Sequence, residues 1–143
     1  MADTLPEWPV GTVVFLATGG GDGGPHVIPV SAALRAGPAR IVLALAPRRS
    51  SLARLREHPT VSLAVLAAGD VAFTAEGTAV VVADPLPGAE NVVGVALTVE
   101  RVQDHRTRYF AITDGVQWHW ADAQSRARDA AVRAALAALA DAG

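Results

Sequence analysis

The sequence predicts a mainly β fold: a small barrel of six antiparallel strands, with a short helix after the third strand and a helix at the C-terminus. Three observations predict it. Short β-branched or apolar runs recur along most of the chain, punctuated by glycine and proline. Helical periodicity is confined to one brief stretch and to the last twenty residues. Finally, six or more strands in 143 residues would leave open edges, which closure into a barrel removes.

The first strands are 11–18 (GTVVFLAT), 26–35 (HVIPVSAALR) and 40–46 (RIVLALA). Between the first two lies GGGDGG, residues 19–24. A phosphate-cradling glycine loop runs straight into a helix whose N-terminus faces the anion, whereas this cluster leads into another strand, so it reads as a hairpin turn. In PRRSSLARLREHP, Leu52 and Leu55 are spaced i, i+3 and Pro59 closes the segment, which predicts a helix from about Ser50 to Glu57. Strands follow at 60–67, 71–83 and 92–103, the last two separated by the proline-rich turn ADPLPG. Asp114-Gly115 predicts a hairpin between two short strands within YFAITDGVQWHW. In the alanine-rich tail, Val132, Leu136 and Leu139 share one helix face, with Asp122 as N-cap. The expected organisation is one domain over 1–143, with the barrel at about 10–121 and the helix at about 122–141.

Composition narrows the chemistry. The chain is 51% hydrophobic and 18% charged, which is globular composition. A net charge of −2 provides no basic footprint for nucleic acid. Without cysteine there is no disulfide, thiolate catalysis or Cys-based zinc site. All twelve cations are arginine, and the absence of lysine excludes Schiff-base chemistry. The longest charge-free run, Trp8–Gly21, is shorter than a membrane span. The N-terminus carries acids and no base, unlike a signal peptide, so a soluble cytoplasmic protein is expected, with no membrane partner.

Three segments invite a functional reading. PRRSS (47–51) places Arg48, Arg49, Ser50 and Ser51 at a helix start, which alone reads as a solvated surface with a capping serine or as a favourable phosphate site. HVIPVS (26–31) is interrupted by Pro29, which either frees backbone groups for a ligand or marks an edge strand. VQWHW alternates, so Trp118 and Trp120 share a face as core or dimer contact, or as a stacking shelf. His26, His58, His105 and His119 show no metal-ligand spacing, so no metal is expected. No nucleophile–base pairing is legible, and hydrolysis has no support.

The run from Val14 to about Val82, roughly half the chain, resembles the pyridoxamine 5′-phosphate oxidase-like family of FMN-binding split β-barrels, a Greek-key fold. The resemblance rests on the opening LAT…DGGPHVIPV, on LREHPTVSL closing the short helix, and on Glu76-Gly77-Thr78-Ala79 in a later strand. It implies a homodimer holding FMN between protomers and acting on a small-molecule substrate. The isoalloxazine ring would lie along His26, Val27, Ile28, Pro29, Val30 and Ser31. The phosphate would lie at the segment containing Arg48, Arg49, Ser50 and Ser51. A related deazaflavin coenzyme, or a barrel without cofactor, fits the same resemblance. The family's usual Arg-Lys pair falls here on Ser50 and Ser51, and its usual Asn or Gln on Arg54, so the positive charge has moved to Arg48 and Arg49. The family's C-terminal Trp…Arg segment is not recognisable, so oxidation of pyridoxine phosphate itself is not expected. The resemblance therefore implies a flavin- or deazaflavin-dependent oxidoreductase, or else a module that binds the ring without turnover.

Overall fold

The computed structural model describes residues 4–19 and 23–143. Seven antiparallel strands form one sheet: β1 (Val14–Thr18), β2 (His26–Val30), β3 (Ala33–Arg35), β4 (Arg40–Leu45), β5 (Thr60–Ala67), β6 (Val71–Ala83) and β7 (Val93–Asp104). Two helices accompany them, α1 (Ser50–Glu57) and α2 (Ala123–Ala142). The sheet order is β2-β1-β5-β6-β7-β4-β3.

That order has a geometric consequence. β2 and β3 are the two edges of the sheet, yet only Ser31 and Ala32 separate them in the chain. Seven strands laid flat would put their edges about 29 Å apart, whereas so short a connection reaches about 10 Å. The sheet must therefore curl until its edges meet. A backbone bond from Ala44 N–H to Ala32 C=O (3.1 Å) extends the β3–β4 ladder back to the residue two places after β2. The sheet is mainly antiparallel and curled, as a split barrel is.

The expected six strands become seven because 26–35 is not continuous. Pro29 lacks an N–H, which an edge strand tolerates, and the chain bends at Ser31 before starting the opposite edge. Consequently α1 follows the fourth strand rather than the third. The first strand begins at Val14, three residues later than 11–18 suggests, after a turn in which Gly11 has φ +88°. Gly20, Gly21 and Asp22 of the GGGDGG segment lie outside the described residues. The strands on either side nevertheless pair from Val14↔Val30 to Thr18↔His26, the register of a hairpin.

The second correction concerns YFAITDGVQWHW, where no strand forms. Asp114 turns its carboxylate on its own loop, accepting from the Gly115 N–H (2.9 Å) and from Gln117 (2.6 Å). The segment is anchored instead to the barrel surface by Asp70, whose N–H donates to Ile112 C=O and whose carboxylate accepts from the Ile112 N–H.

Burial explains the remaining patterns. Val14, Leu16 and Thr18 of β1 face inward on alternate positions. β4 and the first half of β7 are buried on both faces, because α2 covers the outside. Val42 and Ala96 pack there against Val132, Ala135 and Leu136, a second core distinct from the barrel interior. Asp122 caps α2, its carboxylate accepting from the Ser125 N–H at 2.7 Å. The N-terminal segment contributes to the barrel interior as well. Leu5 is 2% exposed, and Trp8 packs on Phe73 while donating to Ala33 C=O. Among the described residues no helix is long and apolar enough to cross a membrane.

Candidate functional site

The seam is where backbone groups are left over. β2 is an edge strand, so one side of its ladder is unpaired by the sheet. Opposite it the chain leaves β4 and turns through Ala46 and Pro47 into α1, the turn closed by Arg49 N–H to Ala46 C=O (3.1 Å). Between the two runs lies an open cleft of about 180 Å³, lined by Pro29, Val30 and Ser31 on one side and by Ala44, Leu45, Ala46 and Arg49 on the other. The connection between strand end and helix start is short, so the cleft and the helix N-terminus are neighbours.

The N-terminus of α1 is electrostatically open. Arg49 is its N-cap and makes no side-chain capping bond, and the first turn holds no acidic residue. Its first N–H groups and the helix dipole therefore favour an anion. Among the described residues, neither the Arg48 nor the Arg49 side chain has a hydrogen bond or ion pair, and both residues are exposed. Ser50 Oγ lies 3.3 Å from His26 Nε2, which joins the start of β2 to the start of α1. Arg54, one turn into the helix, donates to Gly24 C=O (3.1 Å) and holds the β1–β2 turn against α1.

The ten residues singled out in the sequence thus divide into four groups. His26, Ser50, Arg48 and Arg49 are gathered at the helix start with side chains accessible. Pro29, Val30 and Ser31 line the cleft, while Val27 is 59% exposed on the outer face of β2. The side chains of Ile28 and Val30 belong to the barrel core, which leaves only their backbone on the outer surface of β2. Ser51 is fully buried, and its Oγ has no partner among the described residues; the same holds for Thr18 Oγ1, in the β1 residue paired with His26. A buried hydroxyl without a partner is uncommon, and two of them beside the open helix start fit an acceptor or bridging water there.

Sequence reasoning missed the far wall of the cleft, Ala44 to Ala46. Small side chains at the end of a strand carry no chemical signature, and their only signal is position, immediately before PRRSS. It also missed a second opening of about 200 Å³ that shares Ser31 and Ala44 with the seam cleft and is bounded by Trp120, Asn91, Arg128 and Val132. Trp118 and Trp120 do touch, with centroids 5.0 Å apart, but at 90°. They form no common shelf. Trp118 instead donates to Gly11 C=O (2.9 Å), while Trp120 turns to the second opening. Among the described residues no three His, Asp or Glu converge as metal ligands, and His105 pairs with Thr74 Oγ1 at 2.7 Å.

A curled antiparallel sheet with an open seam beside a short helix defines a split-barrel protein. The sequence pattern of the pyridoxamine 5′-phosphate oxidase family matches residues 11–132, and the chain belongs to that family. Similar solved structures share the fold. A pyridoxamine 5′-phosphate oxidase-like protein of Lactobacillus delbrueckii superposes with a TM-score of 0.59 at 22% identity, over 70% of this chain and 93% of that one. An F420 reductase superposes with a TM-score of 0.59 at 14% identity, over 71% and 100% of the two chains. A FAD-binding protein of Mesorhizobium loti reaches 0.52 at 18% identity, over 64% and 83%. No curated protein sequence matches the chain.

Proposed function

We propose that this chain is a flavin-dependent oxidoreductase that binds FMN along the seam, with two copies completing the site. The observation that carries the reading is one continuous opening that joins the free edge of β2 to Arg49 at the uncapped start of α1. A ring lying along Pro29–Ser31 meets the side of β2 that no strand pairs, where the Ser31 C=O is already taken by Arg133, and a phosphate attached to it falls among Arg48, Arg49 and the first N–H groups of α1. Family membership supports the flavin, and similarity to an F420 reductase keeps a deazaflavin coenzyme as the close variant.

The homodimer is part of the proposal. At about 180 Å³ the cleft is smaller than the roughly 300–1,000 Å³ of a usual cofactor site, so another surface is needed to cover the ring. β6 supplies a candidate: its outward positions Val80 and Val82 are 54% and 45% exposed, where an outer strand face ordinarily carries polar residues.

The flavin supplies the hydride chemistry, and the chain's residues do the holding. Backbone of β2 orients the ring edge, and Arg48 and Arg49 neutralise the phosphate. His26, through Ser50, fixes the side of the helix start nearest the ring. Among the described residues no acid–base pair lines the cleft, which also suits a module that binds the ring without turnover. The test has two stages. Concentrated protein reconstituted with FMN should retain a bound flavin spectrum after desalting. A reduced nicotinamide or deazaflavin donor should then bleach that spectrum. Loss of flavin on desalting would remove the cofactor reading, and retention without bleaching would leave the binding module.

A further inference from the structure

The second opening carries a chemistry of its own. Its walls are the indole of Trp120, the apolar side chains of Ala32, Ala44 and Val132, and the polar Asn91 and Arg128. An apolar cavity of about 150 Å³ accepts a benzene ring, so about 200 Å³ accommodates one ring with a small substituent. The charge balance favours an anion. Asp129 also borders the opening, but its carboxylate is paired with Arg133 at 2.8 Å, both side chains being largely buried. Arg133 is fixed further by donating to Ser31 C=O (2.8 Å). The Arg128 side chain, by contrast, is exposed and has no hydrogen bond or ion pair among the described residues, its charge acting only weakly and at a distance on the Asp122 carboxylate. A flat aromatic wall and a guanidinium at the rim of a one-ring cavity are the elements that recognise an aromatic carboxylate.

We infer that this opening binds a single-ring aromatic carboxylate of the benzoate type, stacked on Trp120 with its carboxylate on Arg128. Ser31 and Ala44 border both openings, so the bound ring would lie next to the seam cleft, where a substrate would lie. That last role rests on the flavin reading; the binding itself does not.

Benzoate and its neutral isostere benzamide are titrated into the full chain while the indole N–H signal of Trp120 is followed by NMR. Both should shift that signal, and benzoate should bind about 10-fold or more tightly, the usual worth of a charge-assisted hydrogen bond. Arg128→Gln, at an exposed position, should bring the two affinities level. Arg49→Ala should weaken FMN and leave benzoate unchanged. Benzoate binding no tighter than benzamide, or leaving Trp120 unmoved up to its solubility limit, overturns the inference. The two readings fail separately. Benzoate binding as expected without FMN binding removes only the flavin, whereas FMN binding without benzoate removes only this site.

Discussion

At the residue scale, Gly77 shows how one position can be dictated by its neighbour. β6 and β7 shift register between Glu76 and Gly77, and a Cβ built on Gly77 would overlap the backbone carbonyl of Thr98. Gly77→Ala should destabilise the protein by about 3 kcal/mol, toward the upper end for overpacking, because a carbonyl within a ladder cannot step aside. A denaturant midpoint unchanged from that of the parent protein would contradict this. Asp104 offers a different test. Its hydrogen bonds to the Arg106 side chain and N–H hold its pKa down at about 2, against an ordinary 3.8. A depressed folded pKa makes the interaction stabilising at neutral pH and removes it as pH falls from about 3.8 to about 2. NMR titration of the Asp104 carboxyl should find that low midpoint, and Arg106→Ala should return it towards the ordinary range; an ordinary midpoint in the unaltered chain would contradict the pairing. The sequence reads well where residue type limits the answer: His26 and Ser50 were both candidates and stand 3.3 Å apart. It reads poorly where direction matters. That Ser51 faces the interior while Ser50 faces out depends on helix phase, which two consecutive serines do not reveal.

At the scale of elements, α1, β5 and β6 follow the bounds their sequences suggest, because Pro59, Asp70 and the apolar runs punctuate them sharply. Two stretches depart from their sequence pattern for one reason. HVIPVSAALR looks like one strand, and VQWHW alternates like another, but a strand exists only where a neighbour is available to pair. Ser31 is where the chain leaves one edge for the other, and the segment after residue 111 pairs with no strand because its Ile112 backbone is held by Asp70 instead. The C-terminal helix was legible down to its cap. The Ser125 N–H bonded to Asp122 lowers that carboxyl's pKa, so the cap is strongest above the ordinary aspartate range and is lost as pH falls through the lowered value. Asp122→Ala should lower the melting temperature, whereas Asp122→Asn, which keeps an acceptor, should retain most of it. Equal losses in the two variants would mean that the cap contributes little.

At the scale of the whole molecule, the fold puts its two edges on either side of two residues and leaves the resulting seam next to an open helix start. That arrangement could not be read from local patterns, since it depends on strand order, yet PRRSS and HVIPVS were both visible as its separate halves. If the site is shared between copies, light scattering should give twice the 14.7 kDa chain mass at micromolar concentration; a monomer would remove the second wall of the proposed site. The central claim is that the seam and the arginines at α1 form one flavin phosphate site. The measurement that tests it most directly compares the affinity of FMN with that of riboflavin, which has the same ring and no phosphate. The account predicts FMN tighter by roughly 10- to 100-fold, a preference eroded by Arg48→Ala or Arg49→Ala, nearly abolished by the double change, and reduced by salt. His26→Ala should weaken both ligands. Equal affinities for FMN and riboflavin in the unaltered protein would contradict the account and leave the two arginines as surface charge.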